Sequence, residues 1–296
     1  MNNYAIFADS TCDLDKNLRE QYGIKYVAMN YVIDETEYVA SLDWESHSPK
    51  DFYDLMRNGV RIRTTQVPAE NFRSEFTKSL EQGQDIIYIS CSSALSGSIN
   101  IAKVVAAELK EQYPERNIYC VDSLISSLGQ GYLAIRAAQL RSEGKSAAEA
   151  AKYIEDNRLR VNQFGTAGTL SYLKRAGRVT ASSAFFGNLF GVKPILISDK
   201  LGQNYATKKV KGSLNAKREI AAEIAATVVD PEQQTLYISH SDSLAEAQQL
   251  RDEILKLTKF KDCYMNYITT IVGASVGPGA VIAFCVGKEV TIEGRE

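Results

Sequence analysis

Short apolar runs alternate with amphipathic stretches through the first half of the chain. Tyr4–Ala8, Tyr26–Val32, Ile86–Ser90 and Ile118–Val121 are rich in Ile, Val and Tyr and are bounded by Gly, Asp, Asn or Ser, which is how buried strands read. Between them, Phe52–Asn58, Ala69–Gln82, Ile99–Gln112 and Ser127–Glu143 place apolar residues at helical spacing. The alternation predicts an α/β fold, with a parallel sheet covered by helices on both faces in three layers. After a further helix at Ala147–Arg158 the pattern changes. Phe164–Thr169, Lys193–Ser198, Thr207–Lys211, Leu236–Ser239 and Val281–Val286 read as strands, and the helices among them are fewer and longer, Leu214–Val229 and Ser243–Leu257. Strands that follow one another without an intervening helix predict an α+β, two-layer unit with a mixed or antiparallel sheet. The expected division is 1–158 and 159–296. No low-complexity linker separates the halves, so they are expected to pack against each other.

In parallel sheets, ligands bind beyond the carboxyl ends of the strands. Three predicted strand ends carry hydroxyl clusters: Asp9-Ser10-Thr11, Ser90-Cys91-Ser92-Ser93 and Asp122-Ser123. Small polar residues at such turns also serve as helix N-caps. Three clusters at one sheet edge argue for a polar-mouthed pocket more strongly than any one of them does.

Composition narrows the function classes. The chain has 296 residues, 45% hydrophobic and 24% charged, so a sizeable core can be buried. A formal charge of -2 gives no electrostatic case for nucleic acid or an anionic membrane surface. No apolar run reaches the roughly 20 residues of a membrane helix, and the N-terminus lacks a signal-peptide pattern, so a cytoplasmic location is expected. The five cysteines are odd in number and none sits at metal-ligand spacing from another, so neither a disulfide framework nor a metal site is expected. His47 and His240 have no evident catalytic partners. There is no phosphate-binding Gly-x-x-x-x-Gly-Lys loop and no Gly-x-Gly-x-x-Gly after the first strand, so no nucleotide cofactor is expected.

Four segments, in order, carry a more specific signal. They are Asp9-Ser10-Thr11-Cys12-Asp13-Leu14, Thr64-Thr65-Gln66-Val67-Pro68, Ser92-Ser93-Ala94-Leu95-Ser96-Gly97-Ser98 and Leu173-Lys174-Arg175-Ala176-Gly177-Arg178-Val179, the last followed by Lys193-Pro194-Ile195. Taken together, they resemble the DegV family. The resemblance implies a two-domain carrier, not itself an enzyme, that buries a long-chain fatty acid such as palmitate or oleate. It also implies a partner: a separate fatty acid kinase subunit that phosphorylates the bound carboxyl group, the acyl phosphate then entering phospholipid synthesis. Carried over by position, the carboxylate-binding hydroxyls are those of Thr64 and Ser96. Thr65 stands in the same run, where the family usually has Ser.

The chemistry of a fatty acid fits these residues. Burying its tail contributes about 0.8 kcal/mol per methylene, while the carboxylate must be met by donors because an unpaired buried charge is very costly. Ser96-Gly97-Ser98 leads into the helix beginning near Ile99, so hydroxyls and free N–H groups are available together, and Gly97 permits close backbone approach. The resemblance implies a head-group or partner-docking role for Arg178, whose bland reading is a surface Arg after a helix ended by Gly177. Phe185, Phe186, Leu189 and Phe190 are candidates for lining the acyl tail. In Gly273-Ala274-Ser275-Val276-Gly277-Pro278-Gly279, Ser275 stands where the family often has His, which replaces a switchable group with a hydroxyl that still donates one hydrogen bond. The alternative is an enzyme acting on a small hydroxylated or phosphorylated substrate, related to dihydroxyacetone kinase; that reading needs a reactive His that neither His47 nor His240 supplies.

Overall fold

The computed structural model describes residues 4–180 and 191–294. Its first half runs β1 (Tyr4–Asp9), α1 (Lys16–Tyr22), β2 (Ile24–Val27), β3 (Asn30–Ile33), β4 (Thr36–Val39), α2 (Pro49–Arg57), β5 (Ile62–Thr64), α3 (Ala69–Glu81), β6 (Asp85–Ser90), α4 (Ser98–Gln112), β7 (Ile118–Asp122), α5 (Ser127–Ser142) and α6 (Ala147–Asn157). Strands β2-β1-β6-β7 form a parallel sheet. Alternate residues serve its two faces. Ile6, Ala8, Ile87 and Ile89 pack with α5 and α6, and Ala5, Phe7, Ile86 and Tyr88 with α3 and α4. Both faces are therefore dry, which is why these strands read as unbroken apolar runs.

The apolar run at 26–32 does not form one strand. β2 ends at Val27 in the parallel sheet, and β3 begins at Asn30 in a separate antiparallel sheet of order β4-β3-β5. The break is fixed at Met29, whose N–H donates to the Ser10 hydroxyl at 2.9 Å. A hydrophobic run cannot reveal such a change of partner, because both strands bury the same kind of residue.

The second half runs β8 (Val161–Thr166), α7 (Ser171–Ala176), β9 (Val192–Ser198), β10 (Asn204–Lys211), α8 (Ser213–Thr227), β11 (Thr235–His240), α9 (Leu244–Leu257), β12 (Asp262–Tyr267), α10 (Thr270–Val276) and β13 (Val281–Val286). Its sheet has the order β10-β9-β8-β13-β11-β12, antiparallel except for the β11–β12 pair. β8 starts three residues before the expected Phe164, because Asn162 and Gln163 hide polar ends in internal bonds: Asn162 Nδ2 donates to the Lys288 carbonyl at 2.9 Å and Gln163 Nε2 to Asn204 Oδ1 at 3.1 Å. One face of this sheet packs on α8 and α9. The other, through Val161, Leu196, Ile282 and Phe284, joins the cluster that contains α5.

Helix α5 is thus shared between the two sheets, and most of its residues are buried. Two glycines make this approach possible. A Cβ on Gly129 would lie 2.9 Å from Phe284, and one on Gly131 would lie 2.7 Å from the Cys12 carbonyl oxygen. The fold is α/β with a parallel three-layer first part and an α+β second part whose free sheet face docks on the first, as the pattern of the sequence predicts.

A candidate ligand pocket with a polar mouth

The carboxyl ends of β1 and β6 face a cavity of about 310 Å3, at the lower end of ordinary ligand sites, which span roughly 300–1,000 Å3. Several chain segments wall it. Thr64, Thr65 and Gln66 come from the end of β5, Leu95 and Ser96 from the loop before α4, Arg178 and Asn204 from the second half, and Ile271, Val272, Ser275 and Val276 from α10. Met29 adds an apolar side chain. No Asp, Glu or His lines it among the described residues.

Each wall is held by named bonds. Thr64 is the last residue of β5, in register with Tyr31 of β3, and the Thr65 N–H donates to the Asn30 carbonyl at 2.9 Å. Ser98 sits behind the wall, buried, where its oxygen accepts the Val67 N–H at 3.1 Å and lies 3.0 Å from Ser96 Oγ. The Ser98 N–H also donates to Ser96 Oγ at 3.3 Å. When the Ser98 hydroxyl donates to Ser96, the Ser96 proton is left over to point into the cavity.

Gly97 was expected to open the backbone to a ligand. Instead its exposed face is occupied by a neighbour: a Cβ there would come within 2.4 Å of Gln66 Nε2. Gln66 is a lining residue with no assigned role in the sequence motifs, as are Met29, Leu95, Ser126, Asn204 and the apolar residues of α10, whereas Thr11 and Cys91 belong to the strand-end clusters. In the sequence the glycine-rich segment 273–279 stands out only for Ser275; that its first residues end a helix, α10, became visible only in the fold.

Arg178 follows the left-handed cap Gly177 (φ 66°) and lies on the cavity wall. Its Nε donates to the Leu95 carbonyl at 2.9 Å and its Nη1 to the Ala176 carbonyl at 2.6 Å, so it ties the second half of the chain to the loop that carries Ser96. A second groove of about 250 Å3 shares Thr64, Arg178 and Ser275 with the first and adds Arg61, Arg63 and Arg175. Among the described residues no carboxylate lines that groove either, so the mouth is electropositive. Phe185, Phe186, Leu189 and Phe190 lie outside the described residues.

Most of the strand-end hydroxyls are spent inside the protein. Ser10 holds the Met29 N–H, the Ser90 hydroxyl donates to the Cys91 carbonyl at 2.8 Å, and the Ser123 hydroxyl donates to the Ile125 carbonyl at 2.8 Å. Asp9 accepts from the Thr11 N–H (3.0 Å), the Tyr88 hydroxyl (2.8 Å) and the Cys91 N–H (3.0 Å). Asp13 joins three wall-bearing segments: its carboxylate accepts from the Thr269 N–H (2.8 Å) and hydroxyl (2.6 Å) at the N-cap of α10, and from the Ser127 hydroxyl (2.5 Å) beside Ser126. Burial pushes the Asp13 carboxyl up to about 6, against the lowering effect of those donors. Burial likewise raises the Cys91 thiol, which therefore stays protonated.

Two sheets share a buried helix, and the cavity beside them is lined by hydroxyls, amides, a guanidinium and apolar side chains with no acidic residue among the described residues, a lining that suits a small amphiphile with an anionic head. The family model described as "Uncharacterised protein, DegV family" matches residues 3–288. This chain belongs to the DegV family. A DegV domain-containing protein of Clostridium perfringens is 34% identical over 287 residues, covering 97% of this chain and 98% of that one. The structure of a DegV family protein from Thermus thermophilus, described as fatty acid binding, is similar with a TM-score of 0.87 at 27% identity, covering 97% of this chain and 100% of that one. DegV of Bacillus subtilis, described as a fatty acid binding protein, is similar with a TM-score of 0.80 at 27% identity, covering 97% and 100%. Among the described residues no helix is long and apolar enough to cross a membrane, and no group of three or more His, Cys, Asp or Glu side chains is placed to hold a metal ion.

Proposed function

We propose that this chain is a carrier that binds a long-chain fatty acid in the cavity, with the carboxylate at Thr64 and Ser96 and the tail running along Met29 and the apolar face of α10. The observation that carries the reading is the composition of the lining: hydroxyl, amide and guanidinium donors with no acidic residue among the described residues, together with the apolar side chains of Met29, Leu95, Ile271, Val272 and Val276. A carboxylate accepts hydrogen bonds only, so hydroxyl donors suit it and an acidic wall would repel it. Ser275 adds a further hydroxyl from α10 on the same wall. Each methylene buried contributes about 0.8 kcal/mol, so the tail supplies most of the affinity and the donors supply the selectivity for an acid.

The finer reading is that the carrier presents the carboxylate to a separate fatty acid kinase subunit, which forms the acyl phosphate. Support comes from the open, cationic mouth formed by Arg61, Arg63, Arg175 and Arg178, where a phosphoryl group and the partner delivering it would meet positive charge. Among the described residues the cavity lining holds no paired nucleophile and base, since no His lines it and the Cys91 thiol is protonated. In the same reading, residues 1–158 and 159–296 act as two domains clasping the acid.

The test is to purify the protein from a bacterial host, denature it, extract it and analyse the extract by mass spectrometry. A long-chain fatty acid in near-stoichiometric amount is the expected result. A protein that carries none, and also fails to bind added palmitate or oleate, would refute the carrier reading. Phosphorylation of the bound acid on addition of a purified kinase subunit and ATP tests the finer step.

A further inference from the structure

Gln66 stands on the cavity wall between two pinned neighbours. The Thr65 N–H is bonded to the Asn30 carbonyl at 2.9 Å, and the Val67 N–H to the Ser98 hydroxyl at 3.1 Å, with the Val67 side chain fully buried. The backbone carrying Gln66 is therefore fixed on both sides. Its side chain is long, and in most exposed glutamines the amide would sample many positions. Here it lies against Gly97. A Cβ on Gly97 would meet Gln66 Nε2 at 2.4 Å, Cδ at 2.9 Å and Oε1 at 3.1 Å, so all three atoms of the amide group rest on the face that the missing side chain leaves open. Yet neither end of that amide makes a hydrogen bond within the protein among the described residues. A planar group with two N–H donors is held beside Ser96 and left unspent.

We infer that Gln66 donates an amide N–H to the bound carboxylate as a partner of Thr64 and Ser96, and that Gly97 is small so that this amide can lie across it. The inference rests on the carrier reading and adds a head-group residue to it. A carboxylate offers about four acceptor sites. The hydroxyls of Thr64, Ser96 and Ser275 supply at most one proton each, which leaves room for a further donor. An amide fills that place while remaining neutral. Its Nε2 can only donate and its Oε1 can only accept, so an anionic head group selects one orientation of the side chain. An ester, whose two oxygens share no negative charge, gains much less from the same N–H.

The experiment uses the full chain, stripped of lipid, with palmitate and methyl palmitate as the probes and Kd measured by displacement of a fluorescent fatty acid. Gln66→Leu is expected to weaken palmitate binding about tenfold or more, the worth of a hydrogen bond to a charged group, and to change methyl palmitate binding about twofold or less. Gly97→Ala, which pushes the amide aside, is expected to lose a similar factor for palmitate. Because both changes remove one contact, the double variant Gln66→Leu, Gly97→Ala is expected to bind palmitate no more than about twofold worse than either single one. Gln66 is exposed and Gly97 has an ordinary φ of -80°, so both variants are compatible with the fold. Should Gly97→Ala nevertheless unfold, the acid-against-ester split of Gln66→Leu decides alone. Equal losses for acid and ester, no loss in Gln66→Leu, or fully additive losses in the double variant would overturn the inference. A wild-type protein that binds neither palmitate nor oleate would instead sink the carrier reading itself.

Discussion

The hydroxyls at the strand ends and those at the cavity mouth are the same chemical group with opposite fates. Ser10, Ser90 and Ser123 are buried and each is bonded to backbone, whereas Thr64 and Ser96 line the cavity, Ser96 with a proton to give when the Ser98 hydroxyl donates to it. The difference follows from burial. Inside the fold an unpaired hydroxyl costs about 1–3 kcal/mol, and the loops at these strand ends close around Ser10, Ser90 and Ser123. At the mouth, a hydroxyl can wait for a ligand. A cluster of serines at a sheet edge is therefore not itself a binding site; the site is the subset that the loops do not consume.

The sharpest way to break this contrast is at Asp13, the acceptor for three donors from two segments of the wall. Asp13→Ala should leave the Thr269 N–H, the Thr269 hydroxyl and the Ser127 hydroxyl without that partner, and lower stability by about 3 kcal/mol or more, measured by urea unfolding. Asp13→Asn keeps an oxygen for Thr269 and should cost far less. Its pH dependence adds a sign. The folded-state pKa of Asp13 is raised from 3.8 to about 6, so the stability tied to its proton is fully present below about pH 4 and lost as pH rises through 6. The stability of Asp13→Asn relative to wild type should therefore increase between pH 4 and pH 6 and level off near pH 7. A constant difference across that range would show that Asp13 titrates normally.

Next in size are the groups at the mouth. Ser96→Ala and Thr64→Val should each weaken palmitate or oleate binding about tenfold or more at pH 7, with a much smaller effect on the methyl ester and little change in Tm. Equal losses for acid and ester would show that the hydroxyls do not serve the carboxylate. Ser123→Ala, from the other class, should do the reverse: a loss of about 1–2 kcal/mol in stability and an affinity within about twofold of wild type. The smallest effect is expected at Gly177, whose φ of 66° a side chain tolerates poorly. Gly177→Ala should cost about 1 kcal/mol in thermal unfolding and, by loosening the turn before Arg178, a few-fold at most in acid binding.

Much was legible in the chain itself. Short apolar runs gave β1, β6, β7 and β13 nearly to the residue, because strands buried on both faces or packed in a core have little freedom in composition. The long helices followed from their spacing, and the left-handed turn at Gly177 from a glycine after a basic helix end. β12 was missed because it is an edge strand with only intermediate burial, whose Asp262, Cys263 and Asn266 break any apolar run. α1 was missed because seven mostly polar residues hold a helix only through their ends, the Asp15 side chain taking the Leu18 N–H and Gly23 closing the last turn.

The candidate site divides in the same way. Thr64, Ser96, Arg178 and Ser275 were picked out by local motifs, and the fold brings all four to one cavity although more than 200 residues separate the first from the last. Local pattern could not say that Ser98 would turn inward to hold Val67, that Gln66 would cover Gly97, or that α10 would supply the apolar wall. The sequence alone determined most of the long strands and helices and which segments carry donors, since these are properties of neighbours a few residues apart. The tertiary structure decided which donors remain unspent. A hydrogen bond between residues 13 and 269, or 66 and 97 in van der Waals contact, depends on chain segments that meet only after α5 has joined the two sheets.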